Sequence, residues 1–240
     1  KANLLKKNEE VNIFEIAPVF LPGGRLPKET WSLSLLMHSG RYAKAWNSPV
    51  EWVDFYDVKG VAEKLLCGLG IKDVEFRPAS HRLMHPGKSA DMIVGGRVAG
   101  SLGALHPDLL LEYGLKRETL LLEADIDLFA ESLGLGGSYR PLPRFPESSR
   151  DIAFIVDEKY LYGEIISLIG RLDEKLIERV ELFDVYCGNN IPAGKRSLAI
   201  RIVYRSSERT LTSEEVDAIH NRAIEALVAG FDAQVRGPAQ

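Results

Sequence analysis

The hydrophobic pattern is clearest near the end of the chain. Leu198, Ile200, Ile202 and Tyr204 share one parity, and Ser197, Ala199, Arg201, Val203 and Arg205 share the other, so this stretch predicts a strand with the first set packed and the second facing out. A second apolar segment, 182–186, precedes it across Gly188, Asn189, Asn190, Pro192 and Gly194, residues that tolerate positive φ or fix φ for a chain reversal. The two form a hairpin with a loop longer than two residues. Thr212-Ser-Glu-Glu215 then reads as a capping box, and Val216, Ile219, Ala223, Ile224 and Leu227 repeat at helical spacing up to Gly230. A short last strand is expected over 231–235. Upstream, 150–156 alternates as a strand and 161–172 is an amphipathic helix. The order is βαββαβ, a ferredoxin-like layer with both helices on one sheet face and the other face free.

The first half reads differently. Strands are expected over 12–20, 31–39, 97–105 and 120–126, with helices over 54–69 and 127–133, which indicates an α+β domain on an antiparallel sheet. Between the halves, Gly134, Gly136 and Gly137 precede Pro141, Pro143 and Pro146, each of which removes a backbone donor and biases its predecessor towards extended conformations. The expected organisation is therefore a first domain over 1–137, a stiff connector over 138–146 and a second domain over 147–240.

Charge changes the picture more than composition does. The 240 residues carry a formal net charge of −4, yet between Lys195 and Thr210 the charged positions are Lys195, Arg196, Arg201, Arg205, Glu208 and Arg209. Local positive excess on an open sheet face is what neutralising phosphate requires, whatever the total. At 45% hydrophobic and 27% charged, the chain has the makeup of a protein able to build two cores. No apolar run reaches membrane-spanning length. Cys67 and Cys187 form no ligand-spaced pair, and a reducing cytoplasm is the expected compartment.

Four motifs in order, FPESSRDIAFIV from Phe145, LFDVYCG from Leu182, IPAGKRSLAIRIVY from Ile191 and RTLTSEEV from Arg209, resemble the ferredoxin-fold anticodon-binding domain that closes the β subunit of bacterial phenylalanyl-tRNA synthetases. DFYDVKGVAEKLL from Asp54, MHPGKSA from Met84 and GSLGALHP from Gly100 extend the resemblance to the same subunit's class II synthetase-like domain. The resemblance implies a C-terminal piece of such a subunit, with tRNA(Phe) and a catalytic α subunit as partners in an α2β2 heterotetramer. It also implies that Asp184, Tyr186 and Ser197 hold the first anticodon base. Tyr186 would stack on the splayed base, Asp184 would accept from its Watson–Crick edge, Ser197 would offer a hydroxyl and Ala153 would be small enough to let it approach. Strict alternation places Leu182 and Val180 on the side of Asp184 and Tyr186, so the assignment requires a twist or bulge in that strand.

The first domain, on the same resemblance, has lost its chemistry, and its residues agree. Amino-acid activation needs arginines on the ATP phosphates, yet Phe14-Glu15-Ile16, where one is expected, has none. No cofactor is expected in this chain; ATP and Mg²⁺ are implied for the α subunit. The alternative is a small-molecule enzyme with a phosphate cradle over Gly95 to Gly103, although that segment reads better as a turn leading through Arg97 into a strand. His81 and His85 are four apart, but Pro86 and Gly87 make their segment a loop, and no metal is expected.

Overall fold

The computed structural model describes residues 6, 10–24, 26–42, 45–72, 74–133, 142–173 and 175–236. The chain divides into two compact units, 1–138 and 139–240. The glycine cluster and the first proline of the expected connector lie outside the described residues.

In the first unit six strands, β1 (Val11–Leu21), β2 (Lys28–His38), β3 (Val74–Pro78), β4 (Met84–Val94), β5 (Arg97–Leu105) and β6 (Leu120–Asp125), form an antiparallel sheet in the order β1-β2-β6-β5-β4-β3. Helix α1 (Phe55–Gly68) buries Val58, Ala62 and Leu66, spaced at helical intervals, in one core with Met92, Val94, Leu102, Leu120 and Leu122. Its start is fixed by a reciprocal cap: Asp54 accepts from the amides of Tyr56 and Asp57, and Asp57 accepts from the amide of Asp54 at 2.7 Å. Two short helices follow, α2 (Pro107–Tyr113) and α3 (Ile126–Glu131).

The α+β, antiparallel expectation holds for this unit, but β3, β4 and α2 were not anticipated. Pro86 and Gly87 suggested a loop, and instead lie inside β4 where its register with β5 shifts between Met84 and Ser89. A bulge leaves residues out of the ladder, so proline costs nothing there. His106, which precedes Pro107, is the N-cap of α2 and accepts from the Asp108 amide through Nδ1. The glycines at 95 and 96, both at positive φ, make the β4–β5 hairpin turn, and β5 begins directly afterwards at Arg97. A strand, not a helix, follows the glycines, which removes the helix N-terminus that a phosphate cradle would use.

The second unit contains β7 (Ser148–Asp157), α4 (Tyr162–Gly170), β8 (Ile177–Tyr186), β9 (Lys195–Tyr204), α5 (Ser213–Phe231) and β10 (Gln234–Arg236). The sheet order β10-β7-β9-β8, antiparallel throughout, is the ferredoxin-like arrangement expected from the βαββαβ pattern. Ile165, Ile169, Val216, Ala223 and Leu227 of the two helices share a core with Phe154, Val156, Leu198, Ile200, Ile202 and Tyr204 of the sheet. The helix α5 runs one residue past Gly230 and is ended by Asp232 in the left-handed conformation at φ 49°. The last strand is accordingly displaced to 234–236.

Candidate nucleic-acid interface

The sheet face of the second unit turned away from α4 and α5 is read row by row from the ladder register. One row runs Ile155, Ser197, Tyr186 across β7, β9 and β8; the next runs Arg236, Ala153, Ala199, Asp184 from β10 to β8; a third runs Asp151, Arg201, Glu181. Asp184, Tyr186, Ser197 and Ala153 therefore occupy two adjacent rows of a single face. They are gathered there by a register shift in β8 between Leu182, which pairs with Ile200, and Asp184, which pairs with Ala199. Phe183 is the extra residue. The bulge lets Leu182 and Val180 pack against the core while Asp184 and Tyr186 face outwards, resolving the parity conflict that strict alternation leaves.

Exposure within this face is uneven. Tyr186 is 44% exposed, and its ring lies against the backbone of Gly188, whose absent Cβ would overlap the tyrosine hydroxyl and ring. Asp184 is exposed, and among the described residues no hydrogen bond or ion pair engages its side chain. Ser197 is only 7% exposed, and Val203, on the same parity, is 1% exposed. Outward parity therefore does not mean open for either. Ser197 is flanked by Ile155 and Tyr186, and Val203 stands opposite Arg179, whose aliphatic stem is long enough to cover it.

The basic run is largely neutralised from within. Arg201 donates twice to Asp151, both bonds at 2.8 Å, which pulls the Asp151 carboxyl below its usual range. Arg205 bonds Glu178 and Glu147, each at 2.7 Å, and the Phe145 carbonyl at 2.9 Å, tying the segment before β7 to the start of β8. Arg209 is held by Glu215, whose carboxyl that hydrogen bond draws down to about 2. Arg196 has the parity of the core-facing set and donates to the Tyr160 carbonyl at 2.7 Å, leaving its Nε buried and unpartnered among the described residues. The expectation of an open run of cations is thus corrected: Arg196, Arg205 and Arg209 are structural ties. Lys195 and Arg236 stand on outward positions with no carboxylate in ion-pair distance among the described residues. Arg236 was missed because the last strand was expected to stop at 235, although Gln234-Val235-Arg236 itself alternates.

The first unit contributes a different surface. Strand β1 is an edge of its sheet, and Ile13, Phe14, Ile16 and Phe20 on it are 51–71% exposed. Apolar side chains are thus exposed on both sides of an edge strand, a pattern typical of interaction surfaces. His81 and His85 are not brought together as ligands: His81 Nε2 lies 2.7 Å from Asp91, and His85 Nδ1 accepts from the Gly87 amide at 3.0 Å.

The ferredoxin-like sheet presents an aromatic and a carboxylate over a small-residue floor on its outer face, and residues 143–236 match the family model described as "Ferredoxin-fold anticodon binding domain". Residues 1–126, more than half of the chain, match "Phenylalanyl tRNA synthetase beta chain CLM domain". The chain belongs to the phenylalanyl-tRNA synthetase β chain family. Relatives named phenylalanine–tRNA ligase β subunit include that of Syntrophotalea carbinolica, 38% identical over 98% of this chain and 30% of the relative. That of Symbiobacterium thermophilum is 39% identical over 95% and 26%, and that of Geobacillus kaustophilus 39% identical over 98% and 30%. The chain thus spans less than a third of the length of these relatives. A pyrrolysyl-tRNA synthetase structure from Desulfitobacterium hafniense, 16% identical over 54% of this chain and 43% of its own, superposes with a TM-score of 0.40, too slight a likeness to carry an argument. Among the described residues no helix is long and apolar enough to cross a membrane.

Proposed function

We propose that this chain is the part of a phenylalanyl-tRNA synthetase β subunit that binds the anticodon of tRNA(Phe) on the outer face of its second unit and supports a catalytic α subunit through its first. The observation that carries the reading is the β8 bulge, which turns Asp184 and Tyr186 to the side of Ala153 and Ser197. An exposed tyrosine offers a stacking plane, a carboxylate accepts from amino and imino groups on a base edge, and alanine leaves room for the ring to descend. Ser197, mostly covered, would offer its hydroxyl only at the bottom of that site. Lys195 and Arg236 would meet the backbone phosphates, while Arg201 stays engaged by Asp151; Arg196, Arg205 and Arg209 act through the fold.

The apolar β1 edge is the surface we assign to the α subunit, within an α2β2 assembly in the cytoplasm. ATP-dependent chemistry with Mg²⁺ belongs to that subunit in this reading, because β1 carries no arginine to hold a phosphate. The first unit is then a class II-like domain in a structural role.

Titration of the anticodon stem-loop of tRNA(Phe) against the wild-type chain and Tyr186→Ala tests the reading. Truncation should weaken binding by roughly 1–3 kcal/mol, the value of one base–aromatic stack, and leave the melting temperature nearly unchanged. A large fall in melting temperature with RNA affinity intact would mean that Tyr186 is packing.

A further inference from the structure

Phe183, the extra residue of the β8 bulge, plays no part in the core and is 56% exposed. A bulge sends two consecutive side chains towards the same side of a sheet, here Phe183 and Asp184 opposite Ala199. The guanidinium of Arg201, itself outward and tied to Asp151, lies 5.6 Å from the centroid of the Phe183 ring, which fixes that ring on the outer face. Tyr186 stands opposite Ser197, two residues along β9 from Ala199, or about 7 Å at the rise of a strand. Two exposed aromatics whose backbone positions lie that far apart on one ferredoxin-like face match the way sheet modules stack successive bases of a single strand.

Resting on the anticodon-binding reading, we propose that Phe183 is a second stacking platform, engaging a loop nucleotide different from the one on Tyr186, with its ring held in place by Arg201. The bulge would thereby serve twice, turning Asp184 and Tyr186 outwards and adding an aromatic surface that a regular strand would lack.

The test measures dissociation constants of the full 240-residue chain and its variants for the anticodon stem-loop of tRNA(Phe), and for the same RNA with an abasic site at each loop position in turn. Phe183→Ala should weaken binding to the intact RNA roughly 5- to 150-fold, the range of one lost stack. Phe183→Leu, which keeps bulk without an aromatic face and safeguards the fold, should lose affinity similarly, and Phe183→Trp should retain it. At one abasic position Phe183→Ala should cause no further loss, and that position should differ from the one that silences Tyr186→Ala. Wild-type affinity in Phe183→Ala or Phe183→Leu, a loss that persists at every abasic position, or a silent position shared with Tyr186 would each overturn the second platform alone. Failure of the wild-type chain to bind the stem-loop would overturn the anticodon reading and this inference together.

Discussion

At the scale of single residues, Tyr186 depends on what Gly188 lacks. Its ring rests where a Cβ at 188 would sit, and Gly188 is not at positive φ, so alanine is excluded there by the tyrosine and not by the backbone. Gly188→Ala should therefore displace the ring and lower anticodon affinity towards that of Tyr186→Ala, while the melting temperature stays within about 2 °C, the range of a surface change; calorimetry beside an RNA titration checks both. His220 is the second residue with a consequence. Its Nδ1 lies 3.2 Å from the Tyr204 hydroxyl, whose pKa burial raises, so the phenol keeps its proton, and the imidazole tautomer sets which group donates. Burial, then nearby Arg150, lowers the His220 pKa against the smaller opposing effects of Asp217 and Asp151. The unfolded chain then binds the extra proton first, so stability falls as pH drops below about 6.5, the unperturbed histidine value, and the loss levels off beneath the folded pKa. Urea unfolding from pH 8 to 5 should show this slope, and His220→Gln should flatten its upper part, leaving the loss at lower pH that comes from protonating Asp151 and Glu215, both depressed in the fold.

Elements were legible where a period was undisturbed and illegible where a single residue broke it. Alternation in β7 and β9 and the 3.6-residue repeat of α5 identified most of the second unit, and with it the ferredoxin-like order. The bulge at Phe183 was foreseeable only as a conflict: Leu182 and Asp184 have one parity in sequence and opposite faces in the sheet. Pro86 and Gly87 hid β4 for the same physical reason, since a proline in a bulge leaves no mark that separates it from a turn. The site residues came from resemblance, and the ion pairs that occupy Arg201, Arg205 and Arg209 could not be read at all, because their partners lie 50, 27 and 6 residues away in the chain. The start of α5 was legible in detail. Thr212 Oγ1 accepts from the Glu215 amide at 3.3 Å, and Glu215 accepts from the Thr212 amide at 2.9 Å while also holding Arg209. Thr212→Ala should cost about 1 kcal/mol, the usual value of an N-cap. In urea this appears as a lower midpoint at constant slope; a change in slope would mean that the cap shapes the unfolded ensemble instead.

For the whole molecule, a net charge of −4 has to be reconciled with the proposed binding of a polyanion. The outer face does not resolve this by accumulating unpaired cations: its third row sets Arg201 between Asp151 and Glu181, and Arg179 beyond it contacts Glu147, Glu178 and Glu181. A phosphate approaching Arg201 must displace a carboxylate, and the counterion release that drives most protein–nucleic acid association is small when the cation already has a partner. With Lys195 and Arg236 as the outward cations that make no ion pair among the described residues, about two phosphate contacts are available. The logarithm of the association constant for the anticodon stem-loop should then fall with the logarithm of salt concentration at a slope of roughly −1 to −2, at about 0.7 per contact for single strands. Base stacking and edge recognition, which salt barely screens, would carry the rest of the affinity. Asp151→Asn releases Arg201 without changing side-chain size. It should raise affinity at low salt, steepen the slope by about 0.7, and leave binding at high salt close to wild type. Arg236→Ala should do the opposite, flattening the slope by a similar amount. A wild-type slope steeper than about −3, or an Asp151→Asn slope equal to wild type, would show that RNA already recruits the paired arginines and that the carboxylates of this face do not compete with phosphate.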